Sequence, residues 1–248
     1  MSKRFRLDGK RALVTGANTG IGRAIALSLA DAGAVVIAAG RSSTEESVSQ
    51  IRAAGGEAYS LSMDLSDLAA AIRQFDEAGK LDILVNNAGI IRRADAVDYS
   101  EADWDEVIDI NLKAVFRLCQ QFARQAMSLG RGGRIVNIAS ILSFQGGIRV
   151  PAYTASKHGV VGLTRLFANE WAAKGINVNA VAPGYIVTNN TEALRADVAR
   201  SAEILSRIPA QRWGEPEDIG DAVTFLCTPA ASYITGTVLN VDGGWLAR

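Results

Sequence analysis

Histidine occurs once and cysteine twice in the 248 residues of this chain. With so few imidazoles and thiols, and no carboxylates grouped with them at ligand spacing, a metal site is not expected. Cys119 and Cys227 stand far apart, each inside an apolar helical pattern. They read as buried free thiols rather than a disulfide or a redox pair. Neither sign of charge dominates: Lys plus Arg and Asp plus Glu number 26 each, so no whole-molecule field draws in nucleic acid or an anionic membrane. No apolar run approaches the ~18 residues of a membrane span. The basic start, Met1 to Arg6, has no apolar stretch behind it. A cytoplasmic protein without membrane or nucleic-acid partners is expected. Proline is scarce as well, at five, and no Pro/Ser-rich linker, low-complexity tract or repeat divides the chain. Residues 1–248 should form one domain.

What is present fits an ordinary globular core, with 48% hydrophobic and 21% charged residues. Apolar, β-branched runs recur at 12–15, 35–39, 58–61, 83–86, 135–139, 177–182 and 238–241. Between them lie segments of helical periodicity, among them 21–29 and 104–127. Strands alternating with helices imply an α/β fold, a doubly wound domain whose seven-stranded parallel sheet is flanked by helices on both faces.

In such a sheet, ligands bind at the carboxyl ends of the strands. Gly16 follows the first run, Gly40-Arg41 the second, Asp64 the third, residues 86–89 the fourth, Ser140 the fifth and Pro183-Gly184 the sixth. Six glycine or polar motifs thereby share one rim. The first is Thr15-Gly16-Ala17-Asn18-Thr19-Gly20-Ile21-Gly22, a glycine turn between strand and helix, where backbone N–H groups and the helix dipole favour a phosphate. Its spacing departs from the Gly-x-Gly-x-x-Gly fingerprint. Tyr153 and Lys157, four residues apart on a helix, share a face, so an ammonium beside the phenol can favour its ionisation. Such a tyrosine can give or take a proton near neutral pH.

With Asn86-Asn87-Ala88-Gly89 and Asn111, these motifs make the chain similar to the short-chain dehydrogenase/reductase family from Gly9 to Trp245, in the family's order and spacing. The resemblance implies a Rossmann-type fold, a nicotinamide dinucleotide, and catalytic roles for Asn111, Ser140, Tyr153 and Lys157. Tyr153 would exchange a proton with the substrate oxygen as hydride moves to or from the nicotinamide. Lys157 would lower the phenol's pKa and bond the nicotinamide ribose. Ser140 would hold the substrate oxygen, and Asn111 would help keep a water beside Lys157. Implied cofactor contacts are Gly16, Asn18, Thr19, Gly20, Ile21 and Gly22 in the turn. They continue through Asp64 and Leu65 near the adenine, Asn87, Ala88 and Gly89 near its ribose, and Pro183, Gly184, Ile186 and Thr188 near the carboxamide and pyrophosphate. A plain turn-forming role for Asp64 and a helix-interior role for Asn111 stay open. His158 points elsewhere on the helix and is not expected to act. Residues 189–214 should form a substrate lid. Family members are commonly tetramers, so a homotetramer is expected, with helices 104–127 and 151–173 in the contacts.

NAD-preferring members carry an acidic residue at the end of the second strand, where this chain has Gly40 followed by Arg41-Ser42-Ser43. An arginine beside a small residue can pair with a 2′-phosphate and stack on adenine. NADP(H) is therefore favoured, and NAD(H) stays open. Residues 89–93, 143–151, 184–191 and 242–248 resemble the members that act on deoxy sugar acids. A sugar acid needs a fixed cation and neutral polar groups, for which Arg92, Arg93, Arg149, Gln145 and Asn189 are candidates. Two other readings stay open: a β-ketoacyl-carrier-protein reductase, and a catalytically idle dinucleotide-binding sensor.

Overall fold

The central apolar runs become strands because both of their faces are covered, while the runs at the two edges of the sheet, 58–61 and 238–241, are partly exposed. In the computed structural model, which describes residues 2–248, the strands are β1 (Arg11–Thr15), β2 (Val35–Gly40), β3 (Ala58–Ser62), β4 (Ile83–Asn86), β5 (Gly133–Ile138), β6 (Ile176–Pro183) and β7 (Val238–Val241). They form one seven-stranded sheet in the order β3-β2-β1-β4-β5-β6-β7, every pair parallel. Leu13 and Leu84 enter the hydrophobic cluster on one face, while Ala12, Val14, Ile83 and Val85 enter the cluster on the other. That alternation is the strand period of two, with both sides apolar, which explains the unbroken hydrophobic runs.

The helices are α1 (Gly20–Asp31), α2 (Glu45–Ala53), α3 (Leu68–Glu77), α4 (Glu101–Ile108), α5 (Ala114–Ser128), α6 (Pro151–Trp171), α7 (Glu192–Ala196), α8 (Val198–Arg207) and α9 (Pro216–Cys227). From α1, α2 and α9 come Ile25, Leu29, Ile51 and Val223 on one side of the sheet; from α3, α5 and α6 come Phe75, Phe122, Val161 and Phe167 on the other. Burying one such side chain contributes about 1.5–3 kcal/mol, so these faces hold the layers together. The chain starts in mid-sheet, so β1 pairs with both β2 and β4 and Leu13 sits between Ile37 and Leu84. At this reversal of strand order a crevice opens beyond the carboxyl ends.

Periodicity predicts one helix over 104–127. Instead α4 and α5 are joined by a π turn, Asp109–Lys113, closed by the Ala114 N–H donating to the Asp109 carbonyl. Asn111 lies in this widened turn and is buried. Residues 189–214 contain a 3-10 turn, α7 and α8, and return to a bridge between Ile186 and Gly214. Ile204 and Ile208 bury against Ile141 and Trp245, and Tyr185 lies edge-on to Trp213 and Trp245 at 5.5 and 4.8 Å. The segment is thus pressed onto the C-terminal stretch. Cys119 and Cys227 are buried and unpaired, and burial pushes each thiol up to about 12. Among the described residues no helix is long and apolar enough to cross a membrane, and no three metal-ligating side chains cluster.

Candidate active site

A cleft of about 440 Å³ runs along the crevice, walled by the loops after β1, β2, β3, β4, β5 and β6. At one wall the glycine turn folds back on the start of α1. Gly16 has φ 66°, and a Cβ on Gly22 would lie 2.0 Å from the Gly16 carbonyl oxygen and 2.4 Å from Asn87 Nδ2. No side chain fits there. Thr19 precedes α1 in extended conformation and makes no side-chain cap bond, which leaves the leading N–H groups of the helix without a side-chain partner. Thr15, which the sequence reading did not single out, fastens the facing wall: its Oγ1 accepts from the Asn87 and Ala88 N–H groups at 3.0 Å each. Asn87 Nδ2 donates in turn to the Thr15 and Gly16 carbonyls. A hydroxyl at the strand end beside a glycine turn was the available signal.

Gly40, Arg41, Ser42, Asp64 and Leu65 line the far end of the cleft. A Cβ on Gly40 would meet the Ser42 carbonyl oxygen and Thr44 Cγ2 at 3.0 Å, so an acidic side chain has little room there. Asp64 accepts from the Ser66 N–H and hydroxyl at 2.9 and 2.8 Å. Those bonds, with a smaller push from the Arg41 charge, hold its carboxyl below the usual range. It is at once a turn-former and part of the wall. The uncapped helix start, the crowded glycines and the basic end together fit a phosphate-bearing dinucleotide.

The other end is built by β5 and α6. After Ile138 the chain turns through Ser140, whose Oγ accepts from the Leu142 N–H at 3.1 Å, and Ser143 Oγ donates to the Lys157 carbonyl at 2.8 Å. These bonds bring Ser140, Tyr153 and Lys157 to the same stretch of cleft. Burial pushes the Tyr153 phenol above its ordinary value, opposed by the Ser140 hydroxyl and then by the charge of Arg93. Helical spacing predicts that opposing influence from Lys157, which is not among the groups that exert it. Its Nζ instead donates to the Ile138 carbonyl at 2.6 Å, standing 5.5 Å from the Tyr153 ring centre. Asn111 lies behind the cleft rather than in its wall. Its Oδ1 accepts from the Ile90 N–H and its Nδ2 donates to the Ile90 carbonyl, both at 2.9 Å, and to Ser156 Oγ at 3.4 Å. The amide therefore ties the loop after β4 to α6, and is directed at these groups rather than at Lys157.

Burial pushes the Lys157 amine down to about 8 from 10.5. Between these values the unfolded chain holds a proton that the folded one has released, so stability rises with pH across that window. The contribution is present above 10.5 and is lost as pH falls through about 8. Denaturant melts should show the wild type gaining about 3 kcal/mol over Lys157→Met between pH 7 and pH 11. Parallel curves for the two proteins would contradict this.

Of the arginines expected to meet substrate, only Arg93 lines the cleft. Arg92 donates to both carboxylate oxygens of Glu106 at 2.9 Å and stands 3.5 Å from Asp103; Arg149, at φ 64°, pairs with Asp95 at 3.0 Å. Both cations are answered by carboxylates outside the cleft. Gln145 is also outside its walls, whereas Asn189 and Asn190 form part of them, as do Pro183, Gly184, Ile186 and Thr188.

A family model described as Enoyl-(Acyl carrier protein) reductase matches residues 16–246. The 2-dehydro-3-deoxy-D-gluconate 5-dehydrogenases of Dickeya dadantii and Escherichia coli are 53% and 54% identical to this chain, each over 98% of both chains. A solved structure from Agrobacterium tumefaciens, described as a 2-deoxy-D-gluconate 3-dehydrogenase with bound NADP, superposes with a TM-score of 0.97 at 63% identity, covering 100% of both chains.

Proposed function

From the premise that this chain belongs to the short-chain dehydrogenase/reductase family, we propose that it is an NADP(H)-preferring oxidoreductase interconverting hydroxyl and keto groups of a deoxy sugar acid, of the 2-dehydro-3-deoxy-D-gluconate or 2-deoxy-D-gluconate type. The observation that carries the substrate class is Arg93, the one of three neighbouring candidate arginines that faces the cleft and forms no ion pair among the described residues. A guanidinium free of protein carboxylates suits a substrate carboxylate.

When bound, the nicotinamide ring supplies or accepts the hydride. Residues of this chain handle the rest. In reduction Tyr153 gives its hydroxyl proton to the oxygen that gains charge, and Ser140 donates a hydrogen bond to the same atom; in oxidation the proton returns to Tyr153. Lys157 supplies a buried cation beside them, and Asn111 holds the loop after β4 against α6. Gly16, Asn18, Thr19, Gly20, Ile21 and Gly22 hold the diphosphate, and Gly40, Arg41 and Ser42 take the 2′-phosphate. Asp64, Leu65, Asn87, Ala88 and Gly89 serve the adenosine; Pro183, Gly184, Ile186 and Thr188 serve the nicotinamide end. Residues 189–214 act as the lid that excludes water. We assign the enzyme to the cytoplasm as a homotetramer.

The test is kcat/KM across keto-deoxy sugar acids, neutral ketoses and an acetoacetyl thioester, each with NADPH and NADH. The sugar acid with NADPH should lead. Arg93→Met should raise KM for the acid about 10–100-fold and leave a neutral ketose nearly unchanged, because only a charged hydrogen bond is lost. Preference for the thioester would move the assignment to a carrier-protein reductase. Dinucleotide binding without turnover of any substrate would leave a sensor.

A further inference from the structure

Arg23 follows the last glycine of the turn and reaches back across it. Its Nε and Nη2 donate to the Asn18 carbonyl at 3.2 and 2.6 Å, and its Nη1 and Nη2 donate to the two carboxylate oxygens of Glu46 at 2.6 and 2.7 Å. Asn18 and Thr19 line the cleft, but neither Arg23 nor Glu46 does. In a planar trans peptide the N–H lies opposite the carbonyl, so drawing the Asn18 carbonyl to Arg23 turns the Thr19 N–H the other way. That leaves the N–H on the side where an anion is held.

The second half of the contact concerns α2. Glu46 stands in its first turn beside Ser47, whose hydroxyl donates to the Ala17 carbonyl at 2.7 Å. The start of α2 is thus fastened twice to the glycine turn. Between β2 and α2 hangs the loop of Arg41, Ser42 and Ser43, ended by Thr44, whose Oγ1 donates to the Ala38 carbonyl at 2.9 Å. A planar guanidinium can serve a carbonyl and a carboxylate together, whereas an ammonium is a single point charge. An exposed ion pair by itself contributes little to stability. Its value here is geometric.

We propose that Arg23 is a positioning residue for the dinucleotide: it orients the Asn18–Thr19 peptide and, through Glu46, sets the Arg41–Ser42 loop against the glycine turn, so that diphosphate and 2′-phosphate are recognised in register. The inference rests on reading the cleft as a dinucleotide site. Dissociation constants for NADP+ and NAD+, measured by titration calorimetry on the full chain, test it. Arg23→Met should weaken both cofactors about tenfold or more, since the turn itself loosens. Glu46→Gln keeps the Asn18 bonds and releases only the loop, so NADP+ should weaken about three- to tenfold while NAD+ holds. Arg23→Lys should recover part of the Arg23→Met loss for both. If Arg23→Met does not fold, the selective effect of Glu46→Gln decides alone. Wild-type protein that binds neither dinucleotide would overturn the cleft assignment as well. Tight wild-type binding, with both variants within about twofold for both cofactors, would overturn the inference alone.

Discussion

Tyr153→Phe should lower kcat by about 10²–10⁴-fold or more while leaving the dissociation constant for NADP+ within a few-fold. The substitution removes one hydroxyl from a ring that stays in place on α6, so what is lost is the proton and not the shape of the wall. Ser140 remains, but its aliphatic hydroxyl is a much weaker acid than a phenol and does not replace the lost proton donor. Single-turnover rates with saturating cofactor, beside equilibrium titration, separate the two quantities. Turnover near the wild-type rate would remove Tyr153 from the acid/base role.

Gly22→Ala should abolish useful cofactor binding, weakening NADP+ by about 100-fold or more, with a loss of roughly 1–3 kcal/mol in folding stability from overpacking. Carbon atoms rest best about 3.5–4.0 Å apart, and the added methyl would stand 2.7 Å from the Gly16 carbonyl carbon and 2.0 Å from its oxygen. Both are backbone, so neither can swing aside as a side chain would. Relief requires opening the turn, and the turn is what presents N–H groups to the phosphates. A variant that melts like the wild type and binds NADP+ equally well would show that the glycine turn does not cradle the cofactor.

Much of this architecture was legible because strand runs and rim motifs are local. Each apolar stretch carries its own period, and each motif sits where its strand ends, so neither needs knowledge of distant contacts. The arginines show where locality fails. Arg92 and Arg93 are adjacent and chemically alike, yet Glu106 and Asp103 on α4 claim the first and leave the second to the cleft. Nothing within the segment announces a partner 14 residues away. Lys157 is similar: helical spacing does place it near Tyr153, but the Ile138 carbonyl at the end of β5 lies closer to its amine. Arg23 carries no local signal either, because its importance lies in a backbone carbonyl it holds, which no side-chain pattern displays.

The π turn at Asp109–Lys113 carries one residue more than an α-helical turn would need. Deleting a single residue there would let the helix close to ordinary α geometry and remove the widened turn in which Asn111 lies. Asn111 would leave Ile90 and Ser156, and the loop after β4 would come adrift from α6. The cofactor contacts on β1, β2 and α1 would keep their places, while Asn87, Ala88 and Gly89, which line the cleft from that loop, would be less firmly held. Such a deletion would loosen the site while Ser140, Tyr153, Lys157 and the glycine turn all survived in the sequence.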